Sequence, residues 1–151
     1  MGVIMNIEDR LKDTEEELKK YKENKSMLEA WKLHLDIFKN KIDGGLRGID
    51  YSSTKISPTN KVTSSVESEV ANRSEEFDWI KSKIKEYDIK VRTIDIALKM
   101  LTVREKTIIE RYYFDRAKNI DIAVELDLTE EYICSLKKDI IERLSKIIFL
   151  T

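Results

Sequence analysis

The chain has 151 residues, 38% of them charged and 41% hydrophobic, with 4 Gly and 1 Pro. That length suits one ordinary domain or two small ones, and so few turn residues exclude a turn-rich β fold and long disordered tracts. The 28 basic and 29 acidic residues leave a net charge of −1, so any contact with nucleic acid must come from local placement of charge.

Cys134 is the single cysteine, which excludes an intrachain disulfide and suits a reducing compartment. The opening "MGVIMNIEDRLKD" turns charged by Glu8, unlike a signal peptide. Asn6 stands where an N-myristoylation signal on Gly2 needs Ser or Thr. No apolar run approaches the roughly 20 residues of a membrane helix, so the expected location is cytoplasmic, with no membrane association. Abundant Lys, Glu, Ile and Leu predict helices. The expected fold class is all-α: two long antiparallel heptad-patterned helices followed by a C-terminal helix-turn-helix domain.

Residues 1–43 are read as one long N-terminal helix from about Ile4 to Ile42. Ile4, Ile7, Leu11, Thr14, Leu18, Tyr21, Lys25 and Leu28 alternate by three and four, the seam of a coiled coil or helical hairpin. The seam resets through Leu28, Trp31, Leu35, Phe38 and Ile42, with two successive steps of three, a stammer that overwinds the supercoil. Gly44 and Gly45 are expected to end the helix. Unbroken, it is roughly 55–60 Å long at 1.5 Å per residue, and needs a partner helix.

Residues 44–65, the Gly/Ser/Thr-rich "GGLRGIDYSSTKISPTNKVTSS", are read as a loop. With Lys55 and Lys61 it can touch phosphate or a polymerase, or serve as a connector, and composition does not choose. Residues 66–100 are the partner helix, with Ser64 or Ser65 as N-cap and Glu67 in the first turn. Its seam is Val66, Val70, Arg73, Phe77, Ile80, Ile84, Tyr87, Val91, Ile94, Leu98 and Leu101. The two helices can close on each other within one chain, pair two chains into a homodimer, or do both.

In residues 101–151 the pattern shortens. Thr102 can cap a helix through Phe114, "DRAKN" is a polar connection, and Asn119 or Asp121 begins a short helix to Leu126. In "IDIAVELDLTEEYICSLKKDI", Ala123 is small where two helices must approach. Asp127 stands where the backbone leaves the helix with positive φ, a role for Gly, Asn or Asp. Leu128 points into the core and Thr129 caps the next helix, followed by Glu130 and Glu131 at its positive end. Ile133, Leu136, Ile140, Leu144 and Ile147 form its buried stripe. Two short helices joined by such a turn make a helix-turn-helix.

"LTVREKTIIERYYFDRAKNIDIAVELDLTEEYICSLKKDIIERL", residues 101–144, resembles the promoter-binding region 4 of bacterial sigma factors. The resemblance rests on Leu101, Thr102, Arg104 and Glu105, on Ile108 and Ile109, and on Tyr113 and Phe114. It continues through Ile122, Ala123 and Leu126, the turn Asp127-Leu128-Thr129, Ile133, and the pair Arg143-Leu144. Departures are Asp127 in place of the usual Gly and a recognition helix poor in Arg and Lys. The aromatic-rich promoter-melting helix of a complete sigma factor is missing. The helical N-terminal half, the middle "ISPTNKVTSSVESEVANR" and the terminal helix-turn-helix together resemble phage late-gene regulators of the ArpU/RinA type. That resemblance implies a phage or prophage activator of late, packaging or lysis genes.

On double-stranded DNA, the N-terminal part of the second helix enters the major groove. The expected base-contacting residues are Glu131, Tyr132, Ser135 and Lys138. Lys138 can donate to guanine, Glu131 can accept from cytosine N4, Ser135 can pair either way, and Tyr132 can meet a thymine methyl or a phosphate. Arg116, Lys118, Thr129 and Lys137 are expected at the DNA backbone, where contacts are sequence-blind; the alternative for all of them is a solvated helix face. No cofactor or metal is expected, since His34 has no ligand cluster around it. No phosphate-binding Gly loop or nucleophile elbow points to an enzyme. Two alternatives stand beside a DNA-reading regulator: a sigma-like protein that grips host RNA polymerase without reading DNA, and a small-terminase-like packaging component.

Overall fold

The computed structural model describes residues 5–47 and 63–150, and among these there is no strand. Helix α1 spans Ile7–Lys19, α2 Tyr21–Arg47 and α3 Thr63–Leu98. Helix α4, Val103–Ile109, widens into a π-helical turn at Glu110–Phe114. Helices α5, Asn119–Leu126, and α6, Glu130–Ile148, complete the chain.

The expected single N-terminal helix is two, interrupted at Lys20. Thr14, Leu18, Tyr21, Asn24 and Leu28 are the buried positions, so the seam uses Asn24 and not Lys25. Its two successive steps of three therefore fall at Leu18, Tyr21 and Asn24, across the interruption. Such a phase jump overwinds a regular helix, and the backbone absorbs it in one irregular residue. Lys25 lies outside the seam, its ammonium 5.4 Å from the Tyr21 ring centre.

Helix α2 also runs through Gly44 and Gly45, which were expected to stop it. Glycine costs a helix interior about 1 kcal/mol relative to Ala, but it ends a helix only where the chain takes up positive φ. No glycine among the described residues does so. Helix α3 is already formed at Thr63, so Ser64 and Ser65 are helical residues and not caps. The rest of the expected loop, residues 48–62 with Lys55 and Lys61, lies outside the described residues.

The chain divides into two units, residues 26–88 and residues 1–25 with 89–151. In the first, α2 and α3 run antiparallel. Trp31 meets Trp79 edge-on at 5.0 Å, and Phe38 stacks with Phe77 at 6.2 Å. Leu28, Phe38 and Ile80 are buried on the facing stripes, as the heptad reading expected, whereas Val70, near the start of α3, is exposed.

In the second unit, α1 packs along α6 and on the π-helical turn. Leu18, Ile94, Ile108, Ile109, Ile140 and Leu144 are sealed from solvent; each side chain of this kind contributes about 1.5–3 kcal/mol on burial. The buried hydroxyls of Thr14 and Ser145 are satisfied locally, Thr14 donating to the Arg10 carbonyl at 2.8 Å and Ser145 to the Glu142 carbonyl at 2.7 Å. Tyr21 stacks on Phe114 at 4.6 Å and donates its hydroxyl to Asp95.

Candidate nucleic-acid interface

The helix-turn-helix is assembled from its caps inward. Thr102 accepts from the Glu105 backbone N–H at 3.3 Å, and Glu105 accepts from the Thr102 N–H at 3.4 Å. This reciprocal capping box fixes the start of α4. Glu105 also accepts from Arg143, which ties that start to the far half of α6. The π-helical turn then closes with Asp115 N–H on the Glu110 carbonyl at 3.0 Å.

Arg116 follows with φ 55°, a left-handed conformation costing about 1 kcal/mol or more in a side-chain-bearing residue. Below it, Arg111 bridges Glu125 at 2.9 Å and Asp115 at 3.3 Å, and Lys22 reaches Asp115 at 3.0 Å. Hydrogen bonds from Lys22 and then Arg111 hold the Asp115 carboxyl below the usual carboxylate range.

The turn between α5 and α6 has the expected chemistry. Asp127 adopts φ 56°, ψ 45°. Leu128 N–H bonds the Ala123 carbonyl at 2.8 Å and Asp127 N–H bonds the Val124 carbonyl at 3.3 Å, the paired closure of a Schellman motif. Leu128 packs against the buried cluster of Ile108, Ile122, Ala123 and Ile133, which supplies the apolar contact such a motif favours. Thr129 caps α6 by accepting from Tyr132 N–H at 3.2 Å.

Because Ile133, Ile140 and Leu144 face the core, the opposite face of α6 is fixed. Glu131, Ser135 and Lys138 are exposed and line one shallow depression with Glu130 and Cys134. Tyr132, 47% exposed, stands outside that depression. Cys134 is half-buried and accepts from the Asn119 side-chain amide at 3.2 Å. Arg116 and Lys118 come together in a second depression with Lys19, Tyr112, Asn119 and Glu130. Glu130 lines both depressions, so they adjoin at the start of α6.

Lys137 departs from the expectation. It is buried, with its ammonium 3.2 Å from the centre of the Tyr112 ring. Four residues after Ile133, it falls on the core-facing stripe, where its stem is covered and its charge rests on an aromatic face. The charge is used inside the unit and is withdrawn from the outward face. Sequence reasoning missed Lys19, which lies in a different helix and reads locally as one more solvated charge.

Among the described residues no cluster of His, Cys, Asp or Glu can hold a metal ion, and no helix is long and apolar enough to cross a membrane. His34 is exposed and meets Trp31 edge-on at 5.6 Å.

Residues 97–146 match the family model for sigma-70, region 4, about a third of the chain. No curated protein and no solved structure matches it. This third of the chain is thus a helix-turn-helix of the region 4 type, and α1, which packs on it, lies outside the matched segment.

Proposed function

We propose that the chain is a sequence-specific, DNA-binding transcription regulator. The observation that carries this reading is the outward face of α6. The Asp127 turn presents Glu131, Ser135 and Lys138 together on a helix whose other face carries the buried Ile133, Ile140 and Leu144. Those side chains carry the donors and acceptors that distinguish base pairs in the major groove. Arg116 and Lys118 flank the face from the start of α5, where phosphate contacts set register. The proposed role is that of a phage or prophage activator of late genes, acting in the cytoplasm with host RNA polymerase. Support for that finer role comes from the sequence resemblance of residues 56–73, most of whose side chains lie outside the described residues.

A nearly neutral module needs avidity, so a homodimer that engages two half-sites is part of this proposal. Selection from a random duplex pool at near-physiological salt tests it. The expected outcome is an enriched motif made of two half-sites; recovery of unenriched sequence counts against DNA reading.

One observation favours a second reading, a protein that grips RNA polymerase without reading DNA. Residues 101–151 contain nine Lys/Arg against ten Asp/Glu, and Lys137 among the nine is buried. Capture of polymerase by the chain, with no enriched DNA motif, would establish that alternative. Closed ring oligomers would point instead to a packaging component.

A further inference from the structure

Helix α1 lies outside the segment that resembles a DNA-binding domain, yet it contributes a cation to the same surface. Lys19, in the last turn of α1, is exposed and lines the depression that holds Arg116 and Lys118. None of the three takes part in an ion pair among the described residues, unlike Lys22, Lys106 and Arg111 of the same unit, which each pair with a carboxylate. Glu130 is the one carboxylate lining the depression, so three cations face a single negative charge. Lys118 is the N-cap of α5 and no side chain caps that helix, so backbone N–H groups at its start, with Asp121 in the first turn, lie beside the three cations. Arg116 is held in the left-handed region. Backbone strain of this kind is concentrated at functional sites, and here it falls on one of the three cations.

From this convergence we infer that Lys19, Arg116 and Lys118 each contact a phosphate along one stretch of the DNA backbone, and that α1 is therefore a working part of the DNA-binding surface. The inference rests on the DNA-binding reading above. It adds a contact from outside the helix-turn-helix, placed by the packing of α1 along α6 and on the π-helical turn. A phosphate contact is blind to sequence and sensitive to salt, whereas the α6 face reads bases. The two surfaces adjoin at Glu130, so one duplex can meet both.

The test is the salt dependence of binding to a labelled mixed-sequence duplex of about 21 base pairs, two helical turns. Wild type is compared with Lys19→Ala and with Lys12→Ala, an exposed α1 lysine outside the depression. Each lost phosphate contact should lower the slope of log affinity against log salt by about 0.9. Lys19→Ala is expected to show that loss, with Lys12→Ala matching wild type. Arg116→Ala and Lys118→Ala should each reduce the slope as well, and circular dichroism should report an unchanged helix content in all variants. If Lys19→Ala keeps the wild-type slope, or if both α1 variants lower it equally, the phosphate site is overturned while DNA binding stands. If wild type shows no salt-dependent binding to any duplex, the DNA reading fails and the inference goes with it.

Discussion

The hydroxyl of Tyr113 donates to the Glu15 carboxylate at 2.6 Å, joining the π-helical turn to a helix 98 residues earlier in the chain. The region 4-type module is therefore braced by an element outside its own sequence segment. Tyr113 is buried and Glu15 half-buried, so both ends of the bond are partly removed from water. Tyr113→Phe deletes the donor while keeping the ring, and leaves the carboxylate without it. A loss of about 1–2 kcal/mol is expected, read as a lower midpoint in urea at an unchanged slope.

The same pair predicts a response to alkali. Burial, and then the bond to Glu15, pushes the Tyr113 hydroxyl above its ordinary range. Tyr21 is raised in the same direction by burial and by Asp95. A folded-state pKa above the unfolded value near 10 stabilises the protein fully below about pH 10, and that contribution is lost as pH climbs toward the folded value. Unfolding curves collected from pH 8 upward should therefore show stability falling beyond about pH 10. Tyr113→Phe should fall less steeply, and equal slopes for the two proteins would count against the linkage.

Asp127 offers a test of the turn itself. It holds φ 56°, where Gly carries no steric penalty and an L-residue does. Asp127→Gly is expected to stabilise the protein by up to about 1 kcal/mol, and Asp127→Val to destabilise it by at least as much. Thermal melts of the two variants should bracket wild type. A destabilised glycine variant would mean that the Asp side chain contributes something the turn geometry does not explain.

The turn was legible in sequence because its determinants are local. Ala123, Asp127, Leu128 and Thr129 each answer a requirement of the backbone within a few residues, and the structure places all four as read. Periodicity likewise revealed the antiparallel pairing of α2 and α3, since a heptad seam is visible in one strand of text. It misplaced the phase jump, because Lys25 continues the three-and-four alternation from Tyr21, and only the burial of Asn24 beside an exposed Lys25 shows which residue the seam uses. Lys19 was illegible for a different reason. Its value depends on α1 packing along α6, and nothing in residues 7–19 states which surface their apolar stripe will cover. Lys137 was misread because basic residues were assigned outward by type, although its spacing from Ile133 puts it on the inner stripe.

Lys137 and Lys138 are adjacent and have opposite fates, which makes them the sharpest pair for testing the α6 face. Lys137 is buried over the Tyr112 ring, whereas Lys138 is exposed beside Glu131 and Ser135. Replacing Lys137 with Met keeps most of the buried stem but removes the cation, so stability should fall by about 0.5–2 kcal/mol. The salt slope of DNA binding should stay at its wild-type value, since that charge never reaches the outward face. Lys138→Ala should do the reverse, leaving the melting temperature nearly unchanged and weakening binding to a selected site by about 1–3 kcal/mol. Its affinity for unrelated duplex should change little, because a base contact discriminates between sequences and a phosphate contact does not. Equal losses on selected and unrelated DNA would move Lys138 from the bases to the backbone, and no loss on either would remove it from the interface.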